Sequence, residues 1–313
     1  MVLKDNGKLI CIVGPTASGK SSLALDICKS LNRPLISCDS MQIYKGMDIG
    51  TAKPSKSEQA EVKHYMIDVC DPRTDYSVSD YAMQANAIYE DILKTGKNCV
   101  ICGGTGLYLD AFLGNVNYSD ESSNDSIRKE IYDEIEAKGI DYVYDELIKI
   151  DPECEKTIHK NNTKRVVRAL EIFRVTGMTK TEYDSVHKTE PKYECKIIGL
   201  NYQDRDILRQ RIYKRVDIMI DSGLIEEVES LMKSGMLTEG TTAAQAIGYK
   251  ETLSYLKGEI SKDEMITLIK NSSAQYAKRQ ITWFKRNKDI NWIYPDTLKD
   301  GQLEETVNNI LNS

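Results

Sequence analysis

No apolar run in this 313-residue chain approaches the roughly 18 residues that a membrane-spanning helix needs. The first strand-like run begins within a few residues of Met1, so no signal peptide is expected and the expected location is cytoplasmic. Internal repeats and low-complexity tracts are absent. An excess of positive charge is missing too: 42 Lys and Arg face 48 Asp and Glu, a net charge of −6. That argues against indiscriminate nucleic-acid binding but leaves room for a local basic face. A zinc framework is also lacking. Of the eight cysteines, the one C-x-x-C spans Cys99 to Cys102 in a strand-like run, where residues three apart face opposite sides. No second Cys/His pair follows at metal spacing, so buried free thiols are expected.

What is present begins with "CIVGPTASGKSSLA". Gly14, Gly19, Lys20 and Ser21 fit the phosphate-loop pattern G-x-x-x-x-G-K-[ST], between an apolar run at 9–13 and a helical pattern at 23–31. Glycines let successive amides turn inward, and the helix N-terminus adds its positive end. Lys20 would reach the outer phosphates and the Ser21 hydroxyl would bind Mg²⁺. The loop alone leaves kinase, nucleotide hydrolase and other pyrophosphate chemistry open.

Short continuous apolar runs at 9–13, 34–38, 65–69, 99–102 and 196–201, with helical patterns between most of them, predict a parallel sheet buried on both faces. Residues 292–294 read as a late short strand that extends it. Between about 115 and 191 the pattern changes. A polar linker at 117–125, with Asp125 or Ser126 placed as a helix cap, precedes helical periodicity at 127–138, 142–149 and 162–176. Residues 176–194 read as polar loop. Helices are expected again at 206–222, 224–234, 243–257 and 262–285. The expected architecture is an α/β phosphate-loop core, residues 1–114 and 192–313, carrying an all-helical insertion at 115–191.

A hydrolase with this loop carries a second strand ending in Asp. The natural candidate here ends in Gly103-Gly104-Thr105-Gly106, which weakens that reading; Asp110, farther on, reads as structural. The carboxylate at a strand end is Asp39, where open α/β sheets face their ligands. There it can hold metal, accept a proton, or cap a turn. Three basic arrays follow. Lys164, Arg165 and Arg168 share a helical face, Arg211 and Arg215 share another, and Lys278, Arg279, Lys285 and Arg286 interleave with Tyr276, Trp283 and Phe284. Each alone reads as a solvated face; together they fit an extended polyanion.

These residues resemble the tRNA dimethylallyltransferases, also called tRNA isopentenyltransferases. The matching stretches are "GPTASGKS", "SCDSMQIYKGMDIGTAKP", "HYMIDVCDP", "YSVSDY", "GGTGLYLDAF", "NNTKRVVRALEI", "SGLIEEVESL", "QAIGYKE" and "AKRQITWFKR", in the family's order over residues 10–288. One small departure is Lys63 before His64, where many members have Pro and a second His.

The resemblance implies a phosphate-loop core put to prenyl transfer. Dimethylallyl diphosphate would be the donor, with its diphosphate leaving, and the exocyclic N6 of the adenosine 3′ of the tRNA anticodon the acceptor. It implies that Asp39 is the base, with Thr105 and Arg215 as catalytic partners. The diphosphate contacts would be Gly14, Pro15, Thr16, Ala17, Ser18, Gly19, Lys20, Ser21 and Arg211, with Mg²⁺ on Ser21. The anticodon stem-loop would be met by Asp39, Ser40, Met41, Gln42, Thr105, Arg128, Lys164, Arg165, Val166, Val167 and Arg168, the insertion acting as a clamp. A monomer is expected. The alternatives are a prenyltransferase for free AMP, ADP or ATP, a phosphate-loop kinase, and a non-catalytic RNA-binding protein.

Overall fold

The computed structural model describes residues 3–5, 7–114, 124–187 and 190–313. It divides into two compact units, residues 1–112 with 193–313 and residues 113–192.

The first unit is built on a six-stranded, all-parallel sheet. Its strands are β1 (Leu9–Val13), β2 (Leu35–Ser37), β3 (His64–Tyr65), β4 (Val100–Gly103), β5 (Cys195–Leu200) and β6 (Ile290–Ile293), in the order β3-β2-β4-β1-β5-β6. Strands β1, β2 and β4 are buried throughout, as a sheet covered on both faces requires. Helices α1 (Lys20–Leu31), α2 (Lys56–Glu61), α3 (Val78–Lys94) and α4 (Gly106–Leu113) follow β1 to β4. Val13 pairs with Gly103, and Ser37 with Cys102. This register brings the carboxyl ends of three adjacent strands level, and with them the loops that follow.

In the second unit, α5 (Asp125–Lys138), α6 (Ile140–Ile150), α7 (Thr163–Thr176) and α8 (Lys180–Val186) surround a separate core. Ile131, Val143, Leu147, Val166, Val167 and Leu170 are its centre. The chain then returns to the first unit through β5, α9 (Arg205–Asp221), α10 (Leu224–Lys233), α11 (Tyr249–Leu256), α12 (Lys262–Phe284), β6 and α13 (Gln302–Asn312).

Several expectations are corrected. The strand expected at 65–69 stops at Tyr65, because Met66 and Asp68 adopt left-handed backbone (φ 60° and 56°). The helix expected at 243–257 is broken at Gly248 (φ 94°), leaving a short 3₁₀ turn before α11. Asn124, rather than Asp125 or Ser126, caps α5, its side chain accepting from the Ser126 and Ile127 amides. The polar stretch 176–194 contains α8, started by a capping box in which Thr179 and Glu182 exchange hydrogen bonds. Most of the polar linker lies outside the described residues. All eight cysteines are free thiols, and seven are buried.

Candidate active site

The phosphate loop leaves β1 at Val13 and enters α1 at Lys20, three residues earlier than the helical pattern indicates. Gly14 needs its missing side chain: a Cβ there would collide with the Leu200 carbonyl oxygen. Ala17 and Gly19 take positive φ values of 60° and 94°, curling the loop. The Ser18 hydroxyl is buried with no hydrogen-bond partner among the described residues, a donor available to an oxyanion. Ser21 is exposed at the start of α1.

Lys20 is 9% exposed and donates to the Pro15 carbonyl oxygen at 3.1 Å. Burial lowers its pKa and Arg215 adds to this, while Cys102 and Asp39 oppose. Burial likewise lowers the Arg215 pKa, against the pull of Asp39. Arg211, one turn before Arg215 on α9, donates its Nε–H to the Ala17 carbonyl oxygen at 2.9 Å. It therefore belongs to the rim of the loop.

Asp39 lies two residues past β2. Its Oδ1 accepts from the Met41 amide at 2.9 Å and the Gln42 amide at 3.4 Å. This is a turn cap, one of the roles open to the residue from sequence. Its other oxygen has no hydrogen-bond partner among the described residues, so the cap leaves it available for chemistry. Thr105, two residues past β4, accepts from the Ser40 amide at 3.1 Å and donates to Ser40 Oγ at 3.4 Å.

Two cavities meet here, sharing Thr16, Asp39, Arg215 and Tyr276 as walls. The smaller, about 120 Å³, holds Lys20 and Ser21. The larger, about 270 Å³, is lined by Ser40 and Met41 and by apolar Ile212, Val216, Met219, Ile247 and Ile269. The shared polar residues thus face the phosphate loop on one side and a chamber with an apolar wall on the other. Among the described residues no cluster of three His, Cys, Asp or Glu could cage a metal alone. The exposed Ser21 hydroxyl and the unpartnered Asp39 oxygen suit a hard cation that takes its remaining ligands from phosphate and water.

Not every expected contact has a side chain to offer. Val166 and Val167, which the resemblance names as RNA contacts, have their side chains buried in the core of the helical unit. Gln42 is engaged internally, accepting from Ser37 Oγ at 2.9 Å and donating to the Thr51 and Ala52 carbonyl oxygens. Arg128 and Arg168 are held by Glu171, which is 0% exposed, at 3.0 Å each. Lys164 and Arg165 are exposed. Asp110 accepts from the Trp283 indole N–H at 2.9 Å, a structural role.

Two residues reach the site from α12: Tyr276, which the sequence marks only as an aromatic within the third basic array, and Gln280, which it does not single out. Burial, with the Asp39 charge, pushes the Tyr276 pKa up to about 12. Their signal was polar residues at i and i+4 within a stretch whose basic residues drew attention. Glu227 was also missed; it accepts from the Asp48, Ile49 and Gly50 amides and fixes the loop beside both cavities.

The fold and this arrangement define a phosphate-loop protein of the group-transfer class, with a carboxylate, Asp39, lining the same cavity as the loop lysine. Residues 42–287 match the family model described as IPP transferase, and the chain belongs to this family. It is 44% identical over 306 residues to the tRNA dimethylallyltransferase of Thermoanaerobacter sp. strain X514, covering 97% of this chain and 96% of that protein. It is likewise 44% identical over 303 residues to the enzyme of that name from Clostridioides difficile strain 630, covering 97% and 96%. Among solved structures it is similar to the full-length tRNA isopentenylpyrophosphate transferase of Bacillus halodurans (TM-score 0.71, 38% identity, 98% of this chain and 97% of that one). It is also similar to a eukaryotic dimethylallyltransferase acting on tRNA (TM-score 0.82, 28% identity, 96% and 78%).

Proposed function

We propose that this protein transfers the dimethylallyl group of dimethylallyl diphosphate to the N6 amine of the adenosine 3′ of the tRNA anticodon. The observation that carries this is the cavity lined by both Lys20 and Asp39, which puts a diphosphate cradle and a base in reach of one another. The adenine nitrogen forms a bond to C1 of the dimethylallyl group while the bond from C1 to the diphosphate oxygen breaks. Asp39 takes the N6 proton; such assistance contributes about 10²–10⁴-fold. Lys20, the loop amides, Arg211 and Arg215 receive the charge that builds on the diphosphate. Ser21 would hold Mg²⁺, which when bound supplies further neutralisation of that charge. Thr105, whose backbone follows Gly104, braces the Asp39 turn through Ser40.

The target adenine must leave the anticodon stack, at a cost of about a few kcal/mol recovered in contacts to the flipped base. Ser40 and Met41 lie beside Asp39 for that purpose, and Arg128, Lys164, Arg165 and Arg168 supply positive charge for the stem-loop. The working species is a cytoplasmic monomer. Incubation with labelled dimethylallyl diphosphate and either tRNA or AMP, followed by nucleoside analysis, tests the reading. Prenylated adenosine in tRNA is expected. Label in AMP alone, or ATP consumption without prenyl transfer, would replace it with the free-adenylate or kinase alternative.

A further inference from the structure

The phosphate loop and the turn that carries Thr105 come from separate strand ends, and nothing covalent fixes the gap between them. Gln280 of α12 spans it. Its Oε1 accepts from the Thr16 amide at 2.9 Å, and its Nε2 donates to the Gly104 carbonyl oxygen at 2.9 Å. One partner donates and the other accepts, so the amide fits in one orientation only. The side chain is 5% exposed. A Cβ on Gly104 would overlap Gln280 Nε2, so the turn is pressed directly against the amide. From Gly104 the connection runs on through Thr105 to the Ser40 amide, and hence to the turn that holds Asp39.

We infer that Gln280 is a positioning residue that sets the distance between the diphosphate cradle and the Asp39–Thr105 side of the site. It touches neither reacting atom. Its work is to hold the leaving group and the base in the alignment that displacement requires, where misplacement by about 1 Å can cost about 10²-fold. A buried glutamine could also do no more than satisfy two backbone groups. In that case its loss would appear in stability alone.

The inference rests on the prenyl-transfer reading, and the test separates the two. Gln280→Met keeps the side chain's length and removes both hydrogen bonds. Per folded enzyme, kcat is expected to fall about tenfold or more, with KM for tRNA held within about twofold, because alignment rather than RNA binding is lost. Gly104→Ala reaches the same contact from the opposite side and is expected to reproduce the loss in kcat. Folded fraction and melting temperature are measured in parallel. Wild-type kcat per folded molecule in both variants, with only the melting temperature lowered, would overturn the positioning role while leaving the activity standing. A wild-type enzyme that prenylates no tRNA would instead overturn the underlying reading.

Discussion

Lys20 and Asp39 line one cavity although they follow different strands, β1 and β2, with β4 lying between. The level register of the three strand ends makes this possible. It also places a buried ammonium in that cavity, with a pKa below the ordinary lysine value.

Only protonated Lys20 attracts a diphosphate. Its folded pKa is depressed, so the charge is lost at a lower pH than in a free lysine, ordinarily about 10.4. The alkaline limb of kcat/KM for dimethylallyl diphosphate, which reports the free enzyme, is expected below that value. Lys20→Arg should move the limb upward, since a guanidinium stays charged. An alkaline limb indifferent to that substitution would assign it to another group.

Arg211 and Arg215 should divide their work. Arg215 is a wall of both cavities, whereas Arg211 is tied to the loop backbone at Ala17. Arg215→Ala is expected to lower kcat by about 10²–10³-fold, the scale for losing one donor to a developing anion. Arg211→Ala should act mainly on KM for the donor. Steady-state kinetics with each substrate varied in turn would reveal a reversed order.

Glu171 accepts from the Asn124 amide as well as from Arg128 and Arg168. Glu171→Ala would remove the buried carboxylate that both guanidiniums share. We expect a loss of about 1–3 kcal/mol in unfolding free energy, read by denaturant titration. KM for tRNA should rise while KM for the donor stays put. Equal changes in both would argue against these arginines serving the RNA.

Asp151 gives the helical unit an acid-sensitive joint. Burial raises its pKa, but hydrogen bonds from the Thr181 amide and hydroxyl and the Cys154 thiol outweigh this and leave it lowered. A depressed folded pKa stabilises above the unfolded value of about 3.9, and the benefit is lost as pH falls through the folded pKa. Asp151→Asn should therefore be less stable than the parent at neutral pH, with the gap closing in acid. Melting curves across that range would detect a gap that stays constant instead.

The parts of the fold that were legible in sequence are those where local chemistry and tertiary packing agree. Strand β1 and the ends of α7 follow directly from buried apolar runs and periodicity. Strand β3 was overextended, because a run of apolar residues does not reveal that Met66 and Asp68 turn left-handed. At the site, Asp39, Lys20 and Ser21 were legible through motif and strand-end logic. Gln280 was not, because its role exists only once α12 packs across two strand ends that lie far from it in the chain. Within the segment 164–168 that the resemblance marks for RNA, the core takes the side chains of Val166 and Val167, because a motif marks a stretch of chain and packing decides which side chains it can show.

Asp39→Asn offers the sharpest measurement. An asparagine retains an oxygen to accept from the Met41 amide, so the turn should survive while the base is lost. The account predicts a folded variant whose rate of dimethylallyl transfer to tRNA falls by about 10²–10⁴-fold. A variant that prenylates tRNA at the parent rate would contradict it.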